Sequence, residues 1–154
     1  MNHGFKITFL LLVTGNRLCE NLPEISFRKD PFNLADYLEY SILLADLNNE
    51  RQDKNQTYKK NIMGLNNFVI LYSEVDNIVI PAESGWFEFY APNSVNTVIP
   101  LNESDLYKED WIGLQYLDSV GKLHRYTTQC LHPDYPNEVC KKYFNSFTLP
   151  YLSN

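Results

Sequence analysis

Basic runs are nearly missing from this chain: none of its 154 residues sits in a run longer than two, as at Lys59-Lys60 and Lys141-Lys142, and the formal net charge is -6. A nucleic-acid binder needs a basic face to neutralise phosphates, so no nucleic-acid partner is expected. Cysteine is scarce too. Cys19, Cys130 and Cys140 are too few for a disulfide scaffold, and none has a second cysteine at metal-ligand spacing. No metal or other cofactor is therefore expected. Long apolar runs are also wanting: the segment Ile7–Val13 has seven residues, where a membrane-crossing helix needs roughly 20. No transmembrane anchor is expected.

What is present fits one globular domain, with 44% hydrophobic and 21% charged residues. Aromatics make up 14%, eleven of them Tyr, side chains that suit pockets and interfaces but more commonly fill cores. Met1–Asn16 has the outline of a secretory signal, with Lys6, an apolar segment and cleavage after Gly15, which sets off residues 1–15 as a leader. The same stretch also reads as a strand or helix fragment of a truncated coding sequence. Two sequons, Asn55-Gln56-Thr57 and Asn102-Glu103-Ser104, lie in polar loops, as N-glycosylation of Asn55 and Asn102 requires. Leader and sequons together favour a secretory-route protein. In that oxidising setting Cys130 and Cys140 either close a disulfide or stay as two buried thiols.

Along the chain, Asn33 is placed to cap a helix through its side-chain oxygen, and Leu34, Leu38, Ile42 and Leu43 recur at helical spacing, so a helix or helical pair is expected over Leu34–Asp46. Asn48–Asn55 has no apolar residue and reads as a solvated turn. A helix over Gln56–Leu65 leads into the apolar run Phe68–Tyr72, a strand buried on both faces of the kind found in parallel α/β sheets. Asp76 follows that strand's carboxyl end, where α/β proteins place their chemistry, although an Asp there is often only a turn former. Further on come an aromatic element at Trp86–Tyr90, a short extended piece at Val98–Ile99, a helical turn capped by Ser104, and a second strand over Leu123–Thr127. His124 lies within that strand as a surface or packing residue. A helix over Glu138–Phe147 is expected to show Val139, Tyr143 and Phe147 on one stripe and to stop at Pro150.

The run Ser41-Ile42-Leu43-Leu44-Ala45-Asp46-Leu47-Asn48-Asn49-Glu50 resembles the palmitoyl-protein thioesterase family, the lysosomal type-1 enzymes, as do Tyr58-Lys59-Lys60-Asn61, Pro81, Trp86-Phe87, Phe89-Tyr90 and Pro150-Tyr151-Leu152. The resemblance covers about Asp30 to the end, so residues 30–154 are expected to form the C-terminal part of an α/β-hydrolase domain. It implies hydrolysis of fatty-acyl thioesters on S-acylated, chiefly palmitoylated, proteins in the lysosome or a secreted setting. It also implies a Ser-Asp-His triad in that chain order, whose acid falls on Asp76 and whose histidine falls on His132. The stretch Leu34–Leu47 would then help wall the acyl groove. Asp46 and Glu50 lie in the matched run but read as residues that hold a helix end and its turn by hydrogen bonds.

The sequence departs from the family pattern in two ways. No Gly-x-Ser-x-Gly elbow occurs in it, so the serine nucleophile is expected in an N-terminal half of the hydrolase that these residues do not include, and the chain by itself is expected to be inactive. Cys130-Leu131 stands before His132 where the family usually has Gly-Asp, and Pro133 after it is expected to push His132 toward extended geometry. The alternative reading is a noncatalytic secreted or lysosomal binding protein, or an inactive truncated paralogue.

Overall fold

The computed structural model describes residues 29–152, so the expected leader at 1–15 and Cys19 lie outside the described residues. In chain order the elements are α1 (Leu34–Tyr40), α2 (Leu44–Leu47), α3 (Gln56–Met63), β1 (Phe68–Ser73), β2 (Phe89–Tyr90), β3 (Val98–Ile99), α4 (Asp105–Lys108), α5 (Leu114–Ser119), β4 (Leu123–Thr128), α6 (Glu138–Tyr143) and α7 (Leu149–Leu152). This is a mixed helix and strand architecture. Its centre is a parallel pair, β1 beside β4, in register from Phe68 opposite Leu123 to Ser73 opposite Thr128. β2 and β3 form a separate antiparallel ribbon.

Apolar burial explains why β1 sits at the centre. Phe68 and Ile70 join Leu101, Leu106, Leu114, Leu117 and Leu123 in one core cluster, while Val69, on the opposite face, is also buried. The expectation of burial on both faces therefore holds for the first half of the strand. A 3₁₀ turn, Ala82–Trp86, lies against β1, with the Trp86 ring edge-on to Tyr72 and its Nε1–H donating to the Tyr126 carbonyl. Gly85 permits that approach: a Cβ there would stand 2.7 Å from the Leu71 carbonyl oxygen and 2.8 Å from Tyr72 Cβ.

The expected helical pair forms as α1 and α2, but its cap and its inward residue differ from the sequence pattern. The helical run breaks after Tyr40 because Ser41 turns extended, and Arg51 caps the broken end by donating to the carbonyls of Leu38 and Ser41. Asn33 does not cap with its side-chain oxygen; its amide donates to the Asp36 carboxylate instead. The inward residue of α1 is Tyr37, whereas Leu38 and Ile42 are exposed, Ile42 by 57%. Tyr37 wins the buried position because its hydroxyl has a partner there, the Glu50 carboxylate.

The stretch 48–55 is not simply a solvated turn. Asn49 is 3% exposed and takes a left-handed φ of 55°. Its amide donates to the carbonyls of Asn55 and Trp111, and its oxygen accepts from the Asn55 backbone N–H. Glu50 accepts from Tyr37 and Asn48 and pairs with Lys29 at 2.7 Å, and Asp46 accepts from the Tyr58 hydroxyl.

The closing helix is also built otherwise. Cys140 is the one buried residue of α6, and Val139 is 65% exposed, so Val139 is not on an inward stripe. Pro150 does not stop the helix. A π-helical turn, Phe144–Thr148, widens the spiral ahead of it, and α7 continues through Pro150 to Leu152. Phe147 stacks on Tyr126, and Tyr151 stacks on His124, which docks this segment on the outer face of β4. Among the described residues, no helix is long and apolar enough to cross a membrane.

Candidate active site

Strands β1 and β4 point the same way and end level with each other, so the loops that leave them start side by side. Asp76 comes three residues after Ser73, and His132 comes four after Thr128. The two side chains meet: His132 Nδ1 lies 2.9 Å from Asp76 Oδ2, with both side chains about nine-tenths buried. This is the crevice beyond the carboxyl ends of parallel strands where α/β folds gather functional groups.

The other carboxylate oxygen is occupied as well. Asp76 Oδ1 accepts from the backbone N–H groups of Ile78 (2.9 Å) and Val79 (3.1 Å). Turn former and histidine partner are thus one residue in two roles, and the turn fixes the carboxylate plane that faces the ring. Burial alone would push the Asp76 carboxyl up, but the His132 hydrogen bond and the two backbone donors outweigh it and hold the group below the ordinary carboxylate range.

His132 opens a 3₁₀ turn, His132–Asp134, closed by the Asp134 N–H on the Leu131 carbonyl at 2.9 Å. It does not lie in an extended segment as Pro133 suggested; the turn's own hydrogen bond outweighs the pre-proline preference. With Nδ1 facing the carboxylate, Nε2 is the ring nitrogen left to act on a second group.

Three supporting residues were not legible in the sequence. Thr128 and Ser73, both buried, are the last residues of their strands. The Thr128 hydroxyl lies 2.8 Å from the Tyr135 hydroxyl. Burial raises the Tyr135 phenol above its ordinary range, and the charge of Asp76 adds to that. Nothing in the spacing of Tyr135 marks it; only the loop's return toward β4 brings it there. Cys130 and Cys140 are joined as a disulfide, with Cα atoms 6.0 Å apart. His124 stays away from the pair, its Nε2 against Asn67 Oδ1 at 2.9 Å. Asn55 and Asn102 are exposed. Among the described residues no three His, Cys, Asp or Glu side chains gather as a metal set.

A cavity of about 420 Å³ lies elsewhere, walled by Leu34, Tyr37, Leu38, Leu44, Phe87 and Phe89, with Lys29, Glu50 and Glu88 also at its surface. Neither Asp76 nor His132 lines it. The exposed apolar side chains next to the pair in sequence are Val75, Ile78, Ile80 and Leu131.

The family model described as palmitoyl protein thioesterase matches residues 14–132, starting upstream of Asp30 and ending on His132. Palmitoyl-protein thioesterase 3 of Dictyostelium discoideum is 52% identical over 136 residues, covering 88% of this chain and 47% of the relative. Palmitoyl-protein thioesterase 1 of Caenorhabditis elegans is 42% identical over 120 residues, 75% of this chain and 40% of the relative. Lysosomal thioesterase PPT2-B of Xenopus laevis is 35% identical over 145 residues, 92% of this chain and 50% of the relative. The chain spans about half the length of the curated relatives it matches. Matched by the family model over most of its residues and by a relative identical at more than half of the aligned positions, the chain belongs to the palmitoyl-protein thioesterase family, which implies an α/β-hydrolase fold.

Proposed function

We propose that this chain carries the acid and base of a thioester hydrolase that removes fatty-acyl groups from the cysteines of S-acylated proteins. Asp76 and His132 fill those roles, and the serine nucleophile comes from the N-terminal half of the hydrolase. The observation that supports this most directly is the buried Asp76–His132 pair at the ends of adjacent parallel strands.

In the proposed reaction, His132 Nε2 takes the serine proton as the serine oxygen attacks the thioester carbonyl. The carbon–sulfur bond then breaks, and Nε2 returns the proton to the departing thiolate, which leaves as the cysteine thiol. Water attacks the acyl-serine by the same route, with Nε2 taking a water proton and then protonating the serine oxygen, so the fatty acid is released and the serine restored. Asp76 holds the ring with Nε2 outward and stabilises the imidazolium in each half. Leu34, Leu38 and Leu44 supply part of the acyl-chain wall, and Val75, Ile78, Ile80 and Leu131 supply apolar surface near the chemistry. Burying the chain there contributes about 0.8 kcal/mol per methylene.

The lysosome is the proposed site of action, in keeping with the names of the Xenopus laevis and Mus musculus relatives, both called lysosomal thioesterases. N-glycans on Asn55 and Asn102 belong to the same reading. The test is hydrolysis of an S-palmitoyl peptide by the chain alone and together with an N-terminal half that bears a serine elbow. Activity is expected only in the second case, and Asp76→Ala or His132→Ala is expected to remove it by about 10³-fold or more. Undiminished hydrolysis by either variant would sink the assignment, and no hydrolysis with the added half would leave a noncatalytic binding module.

A further inference from the structure

The segment that carries His132 has little apolar burial to hold it in place. Its far end, α6, buries one side chain, Cys140, while Leu131 and Val139 are exposed. The segment is braced within itself: Asn137 N–H donates to the Asp134 carbonyl, Asn137 Nδ2 donates to the Asp134 carboxylate, and Cys140 N–H donates to the Asn137 carbonyl. Those bonds shape the segment without attaching it to the sheet. Farther on, Phe147 and Tyr151 stack on Tyr126 and His124 of β4; between His132 and Tyr143, attachment comes at two points besides His132. The Cys130–Cys140 bond ties α6 back to the end of β4, and the Tyr135 hydroxyl meets Thr128 at 2.8 Å.

We propose that the Cys130–Cys140 disulfide and the Tyr135 hydroxyl are positioning groups that together hold the His132 ring on Asp76. Cys130 and Cys140 stand on either side of His132, so the covalent tie brackets the histidine segment. A loop closed at both ends has far fewer conformations than a loop closed at one. A general base must be held to within about 0.5 Å of its working position. Contact between an imidazole and a carboxylate is too weak to supply that alone when the rest of the segment is solvated. The deduction rests on the thioesterase reading only for its catalytic consequence; the positioning itself concerns the pair.

The experiment is NMR on the full chain, following the Asp76 carboxyl carbon through a pH titration and the deshielded Nδ1 proton of His132. Three states are compared with the oxidised protein: the chain reduced by a dithiol, the double variant Cys130→Ser/Cys140→Ser, and Tyr135→Phe. The dithiol delivers two electrons and two protons to the bond, leaving two thiols and its own cyclic disulfide. The double variant separates this from any effect of Cys19. The expected result is an upward shift of the Asp76 midpoint and loss of the His132 proton signal in all three states, with amide protection of β1 and β4 retained. Unchanged signatures in a folded chain without the disulfide would make the bond a general brace and overturn the proposal. Should the chain without the disulfide fail to fold, Tyr135→Phe decides, because it keeps the covalent tie and removes one hydroxyl; unchanged signatures there overturn it equally.

No nucleophile is needed for these signals, so they stand or fall apart from hydrolysis. In a form that hydrolyses thioesters, reduction is expected to lower kcat at least tenfold with KM unchanged. A loosened pair with undiminished kcat would leave the positioning intact and remove Asp76 and His132 from the hydrolysis instead.

Discussion

Asp76 faces His132 with one oxygen and the backbone N–H groups of Ile78 and Val79 with the other, so its carboxylate cannot rotate without breaking a hydrogen bond on one side. Asp76→Asn tests what that arrangement is for. The amide oxygen still accepts from Ile78 and Val79, so the turn and the fold are expected to survive. The amide nitrogen then faces His132, donates to Nδ1 and selects the tautomer with its proton on Nε2, which cannot take a proton from a nucleophile. In a form of the protein that hydrolyses acyl thioesters, kcat is expected to fall by about 10³- to 10⁴-fold with little change in thermal midpoint. A loss smaller than tenfold would mean that the pair is structural.

How much of this site could be read in advance depended on how local each cause was. Asp76 and His132 were legible because strand ends and family spacing both point to them, and their meeting follows from parallel pairing of Phe68–Ser73 with Leu123–Thr128. Asn49 was not, because its partners are the carbonyl of Trp111, 62 residues away, and the backbone of Asn55. A polar run looks solvated until tertiary structure wraps it. The apolar periodicity over Leu34–Leu43 misled for a related reason. The buried position in α1 went to Tyr37, whose hydroxyl reaches Glu50, a residue ten or more positions on that periodicity does not see. Pro150 misled because the stop rule assumes an ordinary α-helical pitch, and a π-helical turn precedes it here.

The buried amide of Asn49 sets a second prediction. Asn49→Ala leaves the Asn55 N–H and the carbonyls of Asn55 and Trp111 without their side-chain partner, and it puts a Cβ-bearing residue with no side-chain compensation at φ 55°. Leaving buried groups unpaired costs about 1–3 kcal/mol each when water cannot replace the partner, so a loss of about 3 kcal/mol in urea unfolding is expected. Asn49→Gly loses the same bonds but accepts the left-handed backbone, and should be the milder change by about 1 kcal/mol. Equal losses would show that backbone strain plays no part.

Histidine 124 ties stability to pH. Burial between Asn67 and Tyr151 lowers its pKa below the ordinary value of 6.5. The unfolded chain then binds the proton more readily than the folded one, so stability is full above 6.5 and declines as pH falls through that value toward the folded-state pKa. Asp76 acts in the same direction at lower pH. Its folded-state pKa is depressed, so its contribution is complete above 3.8 and is lost as pH falls below it. His124→Phe keeps a ring on Tyr151 and removes the titration. Its thermal midpoint should change less than that of the wild type between pH 7.5 and pH 5. An identical slope in the two proteins would rule out His124 as a source of the pH dependence.

Asn55 has two jobs that a pair of substitutions can separate. Its side-chain oxygen caps α3 by accepting from the Thr57 N–H at 2.9 Å, and its amide nitrogen is the atom a glycan would take in the proposed modification. Thr57→Ala removes the sequon hydroxyl but keeps the backbone N–H that the cap uses. Expressed through a secretory route, that variant should lose one glycan in mass, while after enzymatic deglycosylation its stability should match that of the wild type treated in the same way. Asn55→Ala should lose the same glycan and also about 1 kcal/mol of stability through the missing cap. If Thr57→Ala leaves the mass unchanged, Asn55 carries no glycan and its place at the head of α3 is explained by capping alone.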